Sequence, residues 1–199
     1  IIIKLIKQVF MNVFILSKDP IEAAQQQCDK HVPKMVVESG QMLSTAHRML
    51  DGELTRRPSK SGKTMVRYWQ LEKNDHLLYA AVHTGHPCTV WTMQTAANYF
   101  WHYEHFSALC DEYTYRYGKI HKTDLDLREA LSSAPRNIPN NNTLTKFPLA
   151  MTSNPECMFN DPVKSYRAFY QTKQYRFNMK WSKRPKPEWF KYADIHTTE

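Results

Sequence analysis

The 199-residue sequence has no long hydrophobic run and few glycines. No window offers the roughly 18 consecutive apolar residues that a membrane-spanning helix needs. The motifs GxxxxGK[ST], GxGxxG, GxSxG and HExxH do not occur, and "SGKT" at 61–64 lacks the upstream glycine of a phosphate-binding loop. With only five glycines, loops that cradle phosphate are not expected. The sequence therefore argues against a membrane protein and against phosphate-loop, dinucleotide, serine-hydrolase and zinc-protease sites of these types.

Paired cysteines and a secretion signal are also lacking. The four cysteines are far apart and form no CxxC pair: Cys28, Cys88, Cys110 and Cys157. The first segment, "IIIKLIKQVF", is too short for a membrane span and has no small-residue cleavage site, so a classical signal peptide is not expected. Reduced thiols and a cytoplasmic location are expected, in the host cytoplasm if a phage encodes the chain.

The sequence does not begin with methionine, whereas Met11 opens the strand-like stretch "MNVFIL". We interpret Met11 as the natural start and residues 1–10 as an upstream extension or an artefact. Residues 11–199 then form a single helical domain, as the chain length suggests.

The formal charge of +8 favours a polyanionic partner, nucleic acid rather than membrane. Aromatic residues make up 13% of the chain, enough to build a core.

Hydrophobic periodicity and turn residues predict a mostly α fold, a small single-domain helical bundle with a short N-terminal strand and long loops. Asp19 and Asp29 are expected to cap the first two helices. The predicted elements are a strand over 11–16, helices over 20–27 and 29–50, a loop or short hairpin over 52–75, helices over 75–83 and 88–117, loops over 118–160 and a last helix over 161–183.

The second predicted helix carries an acid, a base and an amine along one stripe. His31, Lys34, Glu38 and Gln41 fall within an arc of roughly 80° at helical spacing. Glu38 would lie at the boundary between water and core, where desolvation raises and Lys34 lowers its pKa. The helix N-terminus would favour a neutral His31. The alternative is an ordinary surface pair between Lys34 and Glu38, with His31 beside it.

Two further clusters hold polar and aromatic residues. His83, His86 and Cys88 could ligate a metal, but no second ligand pair follows at a recognised spacing, so no metal site is predicted. Capping or core hydrogen bonding is the expected role of His86. On the long helix, a stripe could line a groove that reads bases, or could be an ordinary helix contact: Gln94, Asn98, Trp101 and His105.

The C-terminal third interleaves cations with aromatic residues, a pattern typical of nucleic-acid binding. The alternative is a solvated basic face with Trp189 and Phe190 folded onto the core. The cations are Lys173, Arg176, Lys180, Lys183, Arg184, Lys186 and Lys191, and the aromatic residues are Tyr175, Trp181, Trp189 and Phe190.

The order of these features resembles that of the pyrimidine-dimer DNA glycosylases of the phage endonuclease V type. The matching features are an initial strand at Met11 and "DKH" followed seven residues after the histidine by Glu38, then a long aromatic helix and the tail "KRPKPEWFKY". Together they cover about half of the chain. The loop over 52–75 and the region 118–160 have no counterpart.

The resemblance implies a metal-free, cofactor-free glycosylase and lyase. In that family the α-amine behind the removed initiator methionine attacks the deoxyribose C1′ to give an imine, and the glutamate aligned with Glu38 stabilises the cationic sugar. Here Asn12 follows Met11, and Val37 and Gln41 stand where the family has arginines. Because residues 1–10 would block the α-amine, we hypothesise that Lys34 is a substitute nucleophile.

The sequence therefore predicts a monomeric enzyme that excises damaged or modified pyrimidines from double-stranded DNA. Its alternative is a non-catalytic nucleic-acid-binding accessory protein on the same scaffold. The predicted catalytic residues are Glu38, His31 and Lys34. The predicted nucleic-acid contacts are Gln41, His86, Gln94, Asn98, Lys180, Lys183, Arg184, Trp189 and Lys191.

Overall fold

Two long helices, α2 (His31–Asp51) and α4 (Ala96–Tyr117), pack against each other at the centre of the domain. The computed structural model describes residues 11–193; the predicted extension over 1–10 lies outside the described residues. The mostly α, single-domain fold is confirmed. The remaining elements are α1 (Pro20–Gln25), β1 (Glu53–Pro58), β2 (Met65–Gln70), α3 (Pro87–Gln94), α5 (Lys122–Leu127) and α6 (Pro162–Gln171), with 3-10 turns at Pro155–Cys157 and Thr172–Tyr175.

Close packing around α2 requires a small residue at its middle. A Cβ atom at Gly40 would lie 2.8 Å from Cγ2 of Thr123 and 3.1 Å from Cδ1 of Leu127, both on α5. Helix α5 can therefore lie directly on α2.

Of the two predicted helix caps, the one at Asp19 forms and the one at Asp29 does not. Asp19 caps α1, accepting a hydrogen bond from the Glu22 backbone N–H at 2.8 Å, and Pro20 is the first helical residue. Asp161 caps α6 in the same way. Asp29 does not cap α2: its carboxylate accepts bonds from the Ser182 backbone N–H and from Arg116, and α2 begins after Lys30.

The predicted strand over 11–16 does not form. Met11–Leu16 is a fully buried irregular segment in which Phe14 has a φ of 53°, and no strand among residues 11–193 pairs with it. The Asn12 Oδ1 atom accepts hydrogen bonds from the backbone N–H groups of Val13 and Phe14. A short apolar run looks the same in a strand and in a buried core segment, which explains the difference.

The predicted helix over 75–83 is also absent, because a buried arginine uses the carbonyl groups that such a helix needs. Arg48 is 1% exposed and donates to the carbonyls of Asp75, Leu78 and Tyr79 at 2.6–2.8 Å. It also donates to the Trp69 carbonyl and to Asp75 Oδ1, both at 2.7 Å, so all five N–H donors are used.

The predicted long helix over 88–117 is divided at Thr95, which has extended backbone angles. The Thr95 hydroxyl accepts a bond from the Asn98 backbone N–H, and the Ala96 N–H donates to the Pro139 carbonyl. These contacts satisfy the first donors of α4 and make the break stable.

The last helix is shorter than predicted, since α6 ends at Gln171 and only a 3-10 turn follows it. The chain beyond this turn folds back on the domain. Trp181 donates its indole N–H to the Gln26 carbonyl at 2.8 Å, and Phe190 is fully buried. No helix among residues 11–193 is long and apolar enough to cross a membrane.

The five-donor arrangement of Arg48 predicts that Arg48→Lys destabilises the fold strongly. A lysine cannot satisfy four carbonyls and a carboxylate, so the free energy of unfolding should fall by about 3–5 kcal/mol. Urea titration measures the loss. In the matched control, Arg136→Lys, the side chain is exposed and 3.5 Å from Glu72, and a loss below about 1 kcal/mol is expected. Equal losses in both variants would contradict the role of Arg48.

Three buried histidines predict acid sensitivity. Burial lowers the pKa of His31 and His102 to about 3 and that of His105 to about 4. The pKa of a histidine in the unfolded chain is near 6.5. The contribution of the three neutral histidines to the free energy of unfolding is therefore complete above pH 6.5 and is lost as the pH falls towards 3. Each histidine contributes up to about 1.4 kcal/mol per pH unit.

Urea titrations from pH 7 to pH 5 test this expectation. His102→Gln should reduce the number of protons taken up on unfolding relative to the wild type. A stability that is independent of pH over this range would contradict it.

Candidate active site around Glu38

Glu38 is a buried carboxylate held between two nitrogen atoms. Glu38 is 5% exposed and lies on the face of α2 that meets segment 11–16. The backbone N–H of Asn12 donates to Oε2 at 3.1 Å, and Lys34 Nζ lies 3.0 Å from Oε1. The Lys34 side chain is 49% exposed, so the site opens to solvent on the lysine side.

The position of Asn12 is fixed by its own side chain. Its Nδ2 donates to the Ala150 carbonyl at 3.0 Å, and its Oδ1 accepts from the next two backbone N–H groups. These bonds orient the Asn12 N–H towards the carboxylate of Glu38. The nitrogen is therefore preorganised and does not have to move to reach the acid.

Opposed electrostatic effects act on Glu38, as the sequence suggested. Burial raises the pKa of its carboxyl group, while the charge and hydrogen bond of Lys34, the Asn12 N–H and His83 act to lower it. Burial is the largest effect. A carboxyl group under such opposed influences is typical of catalytic sites.

His31 lies in an aromatic cluster, and its bonded partner there is on α6. Its ring stacks on Phe14 at 4.9 Å between centroids, and Nδ1 is 2.7 Å from the Tyr170 hydroxyl. Burial and nearby lysines lower its pKa to about 3, so the imidazole is neutral at physiological pH. One of those lysines, Lys173, lies 3.4 Å from the Phe169 ring centre, and burial lowers its pKa to about 8.

The segment before α3 completes the surroundings of Glu38. His86 caps α3, its Nδ1 accepting a bond from the Cys88 backbone N–H at 3.2 Å, as predicted. Burial lowers the pKa of His86, and the Met11 backbone partly offsets this effect. Within the described part of the chain, no three His, Cys, Asp or Glu side chains cluster in a way that could hold a metal ion.

The remaining polar residues predicted to contact nucleic acid differ in their solvent exposure and in their hydrogen bonds within the protein. Gln41 is partly exposed, one turn after Glu38. Gln94 is exposed and its Oε1 accepts from the Thr145 hydroxyl at 3.2 Å. Asn98 is fully buried, and its amide bonds the Trp91 carbonyl and Thr145, so it joins the break before α4 to a loop.

The cations of the C-terminal tail are divided between internal pairs and solvent. Arg184 forms a fork with the buried Glu112 carboxylate at 2.9–3.2 Å, and Lys183 Nζ bonds the Tyr115 carbonyl at 2.9 Å. Trp189 donates to Gln26 Oε1 at 2.7 Å. Lys180 and Lys191 have exposed side chains.

Two grooves of the domain lie away from the Glu38 carboxylate. A groove of 410 Å³ lies between α1, α4 and the tail, lined by Ile21, Tyr103 and Arg184 among others, and one of 820 Å³ lies at Asp51 and Arg136. Neither includes Glu38.

Sequence reasoning did not identify the Asn12 nitrogen as a neighbour of Glu38. The two residues are 26 positions apart, and only the resemblance to a family with an N-terminal nucleophile connects them. The sequence also does not reveal that Lys173, one of the basic residues of the C-terminal third, is buried.

The chain matches no protein-family model, no curated protein and no solved structure.

Removing the Lys34 charge should raise the pKa of Glu38 further, because that charge now opposes the effect of burial. The Glu38 carboxyl carbon can be followed by NMR through a pH titration of Lys34→Ala. Lys30→Ala removes an exposed lysine that lies over Phe177 and serves as the control. An unchanged Glu38 titration in Lys34→Ala would contradict the electrostatic coupling.

Proposed function

We propose that the protein is a DNA N-glycosylase with lyase activity that acts on damaged or modified pyrimidines. The observation that carries the proposal is the Glu38 carboxylate between Asn12 N and Lys34 Nζ, at 3.1 and 3.0 Å. An amine beside a partly desolvated carboxylate is the pair that imine-forming base excision needs.

The chemistry uses one amine and one carboxylate. The amine nitrogen bonds to C1′ while the N-glycosidic bond breaks, and the base leaves with the bonding electrons and takes up a proton. The nitrogen then transfers a proton to O4′ as the C1′–O4′ bond breaks, and the opened sugar is an iminium ion whose positive charge the Glu38 carboxylate stabilises. Removal of a C2′ proton then expels the 3′ phosphate and breaks the strand.

Two nitrogens are candidates for the nucleophile. While residues precede it, Asn12 N is an amide and cannot attack. Lys34 Nζ, whose side chain is half exposed, becomes a nucleophilic primary amine once its ammonium form releases a proton to solvent. Cleavage after Met11 would convert Asn12 N to an amine already 3.1 Å from Glu38. It would also vacate the buried space that the Met11 side chain fills, since Met11 is 1% exposed.

Borohydride trapping tests the proposal. Protein is incubated with ultraviolet-irradiated and modified-base duplexes, the imine is reduced, and the DNA-linked peptide is identified by mass spectrometry. We expect a link to Lys34 in the full chain and to Asn12 in a chain that begins there. Glu38→Gln should reduce the trapping rate by about 100-fold or more while DNA affinity is kept.

Glu104→Gln, at an exposed position of α4, is the matched control and should trap normally. Two results would contradict the proposal: no adduct with any substrate from either chain, or trapping that is unchanged in Glu38→Gln. DNA binding without any adduct would instead favour a non-catalytic binding protein.

A further inference from the structure

The β-hairpin between α2 and α3 carries an uncompensated positive charge. Between residues 53 and 70 it holds five cations and one carboxylate, Glu53. All five cations are exposed: Arg56, Arg57, Lys60, Lys63 and Arg67. The ion pairs found among residues 11–193 use none of these cations.

Two of these arginines lie directly opposite each other across the hairpin. The antiparallel register pairs Arg56 with Arg67, and like charges in this position destabilise a strand pair. The two arginines have no carboxylate opposite them on the hairpin, so an anion bound from outside would relieve the repulsion. The neighbouring cation Arg57 points to the other face and stacks on Tyr68 at 3.5 Å.

The face that carries the two arginines also exposes apolar side chains. Side chains alternate between the two faces of a strand, so Arg56 and Arg67 share one face of the hairpin with four other residues. We call these six residues the arginine face, and the other four are Leu54, Pro58, Met65 and Trp69. Leu54 is 56% exposed and Met65 is 55% exposed. Cations flanked by exposed apolar groups suit the phosphates and sugars of a nucleic-acid backbone.

The base of the hairpin is fixed relative to the Glu38 site. Arg48 holds the Trp69 carbonyl, and the Tyr68 hydroxyl donates to Asp75 Oδ2 at 2.7 Å. The following segment runs back along α2, with Val82 bonded to Thr45 and His83 near Glu38. Arg48 and Glu38 are ten residues apart on one helix, which corresponds to about 15 Å along its axis.

We propose that the hairpin is a DNA-binding arm whose arginine face contacts the phosphates of double-stranded DNA. This inference rests on the proposed function, since the partner is the same duplex that would present its damaged base at Glu38. A two-stranded ribbon fits the major groove of B-form DNA, which is about 12 Å wide. Because Arg48 holds the base of the hairpin, its axial distance of about 15 Å from Glu38 places the base of the arm and the Glu38 site within one turn of a DNA helix.

Salt-dependent DNA binding of the full chain tests the arm. The variant Arg56→Ala/Arg67→Ala is titrated against a fluorescent 30-base-pair duplex at several NaCl concentrations. Loss of two phosphate contacts should reduce the salt slope by about 1.8 and weaken binding about 60-fold at 0.1 M salt. Thermal stability should not fall, because the variant removes a repulsive pair.

Two control variants separate a specific role from net charge. Lys18→Ala/Lys119→Ala removes the same charge at exposed positions outside the hairpin and should change the slope less. Arg56→Lys/Arg67→Lys keeps the charge and should keep most of the slope. Equal slopes for the hairpin variant and the wild type would overturn the proposal, and so would binding to phosphatidylserine vesicles but not to duplex.

The result of the salt titration does not depend on whether Glu38 takes part in a reaction. A hairpin variant with weakened binding supports the arm even if borohydride traps no adduct, in which case the glycosylase proposal alone fails. A hairpin variant with unchanged binding overturns the arm even if the wild type excises bases.

Discussion

The guanidinium group of Arg48 is the interaction on which the region between α2 and α3 depends. Residues 52–86 contain no helix, and Arg48 joins three parts of this region to α2 through the carbonyls of Trp69, Asp75, Leu78 and Tyr79. Only a planar group with five donors can satisfy so many acceptors from one buried position. The β-hairpin and the segment that leads to His83 are consequently both positioned by the helix that carries Glu38.

Glu38 and Glu112 are both buried carboxylates, but their surroundings differ. Glu112 is 2% exposed and accepts hydrogen bonds from two arginines, Arg116 and Arg184, so its charge is compensated inside the protein. Glu38 has one backbone N–H and one lysine that is half in solvent, although a carboxylate can accept about four bonds. A carboxylate that is buried but incompletely bonded retains acceptor positions for a ligand. This contrast separates a structural acid from a candidate catalytic one.

Local signals in the sequence were sufficient for the helices that begin at Asp19 and Asp161, for the hairpin in 52–75 and for the Lys34–Glu38 pair. They failed where a distant group decided the structure. The helix expected over 75–83 is replaced because Arg48, about 30 residues earlier, binds its carbonyls. The strand expected over 11–16 finds no partner strand in the described part of the chain. The Asn12–Glu38 contact could not be derived from periodicity, since it joins two elements whose relative placement is set by packing.

The basic tail and the hairpin both hold cations that join none of the ion pairs found among residues 11–193, but the two regions differ in how their cations are arranged. Arg184 in the tail is paired with Glu112, and Trp189 is hydrogen bonded to Gln26. On the hairpin, Arg56 faces Arg67 across the strands. A folded chain retains a repulsive pair at little benefit to its own stability, so such pairs are expected where a partner supplies the opposite charge. In the proposed complex, the two features that α2 positions would serve different parts of the same duplex: the pair of cations would contact phosphates, and the incompletely bonded Glu38 would stabilise the positive charge of the sugar.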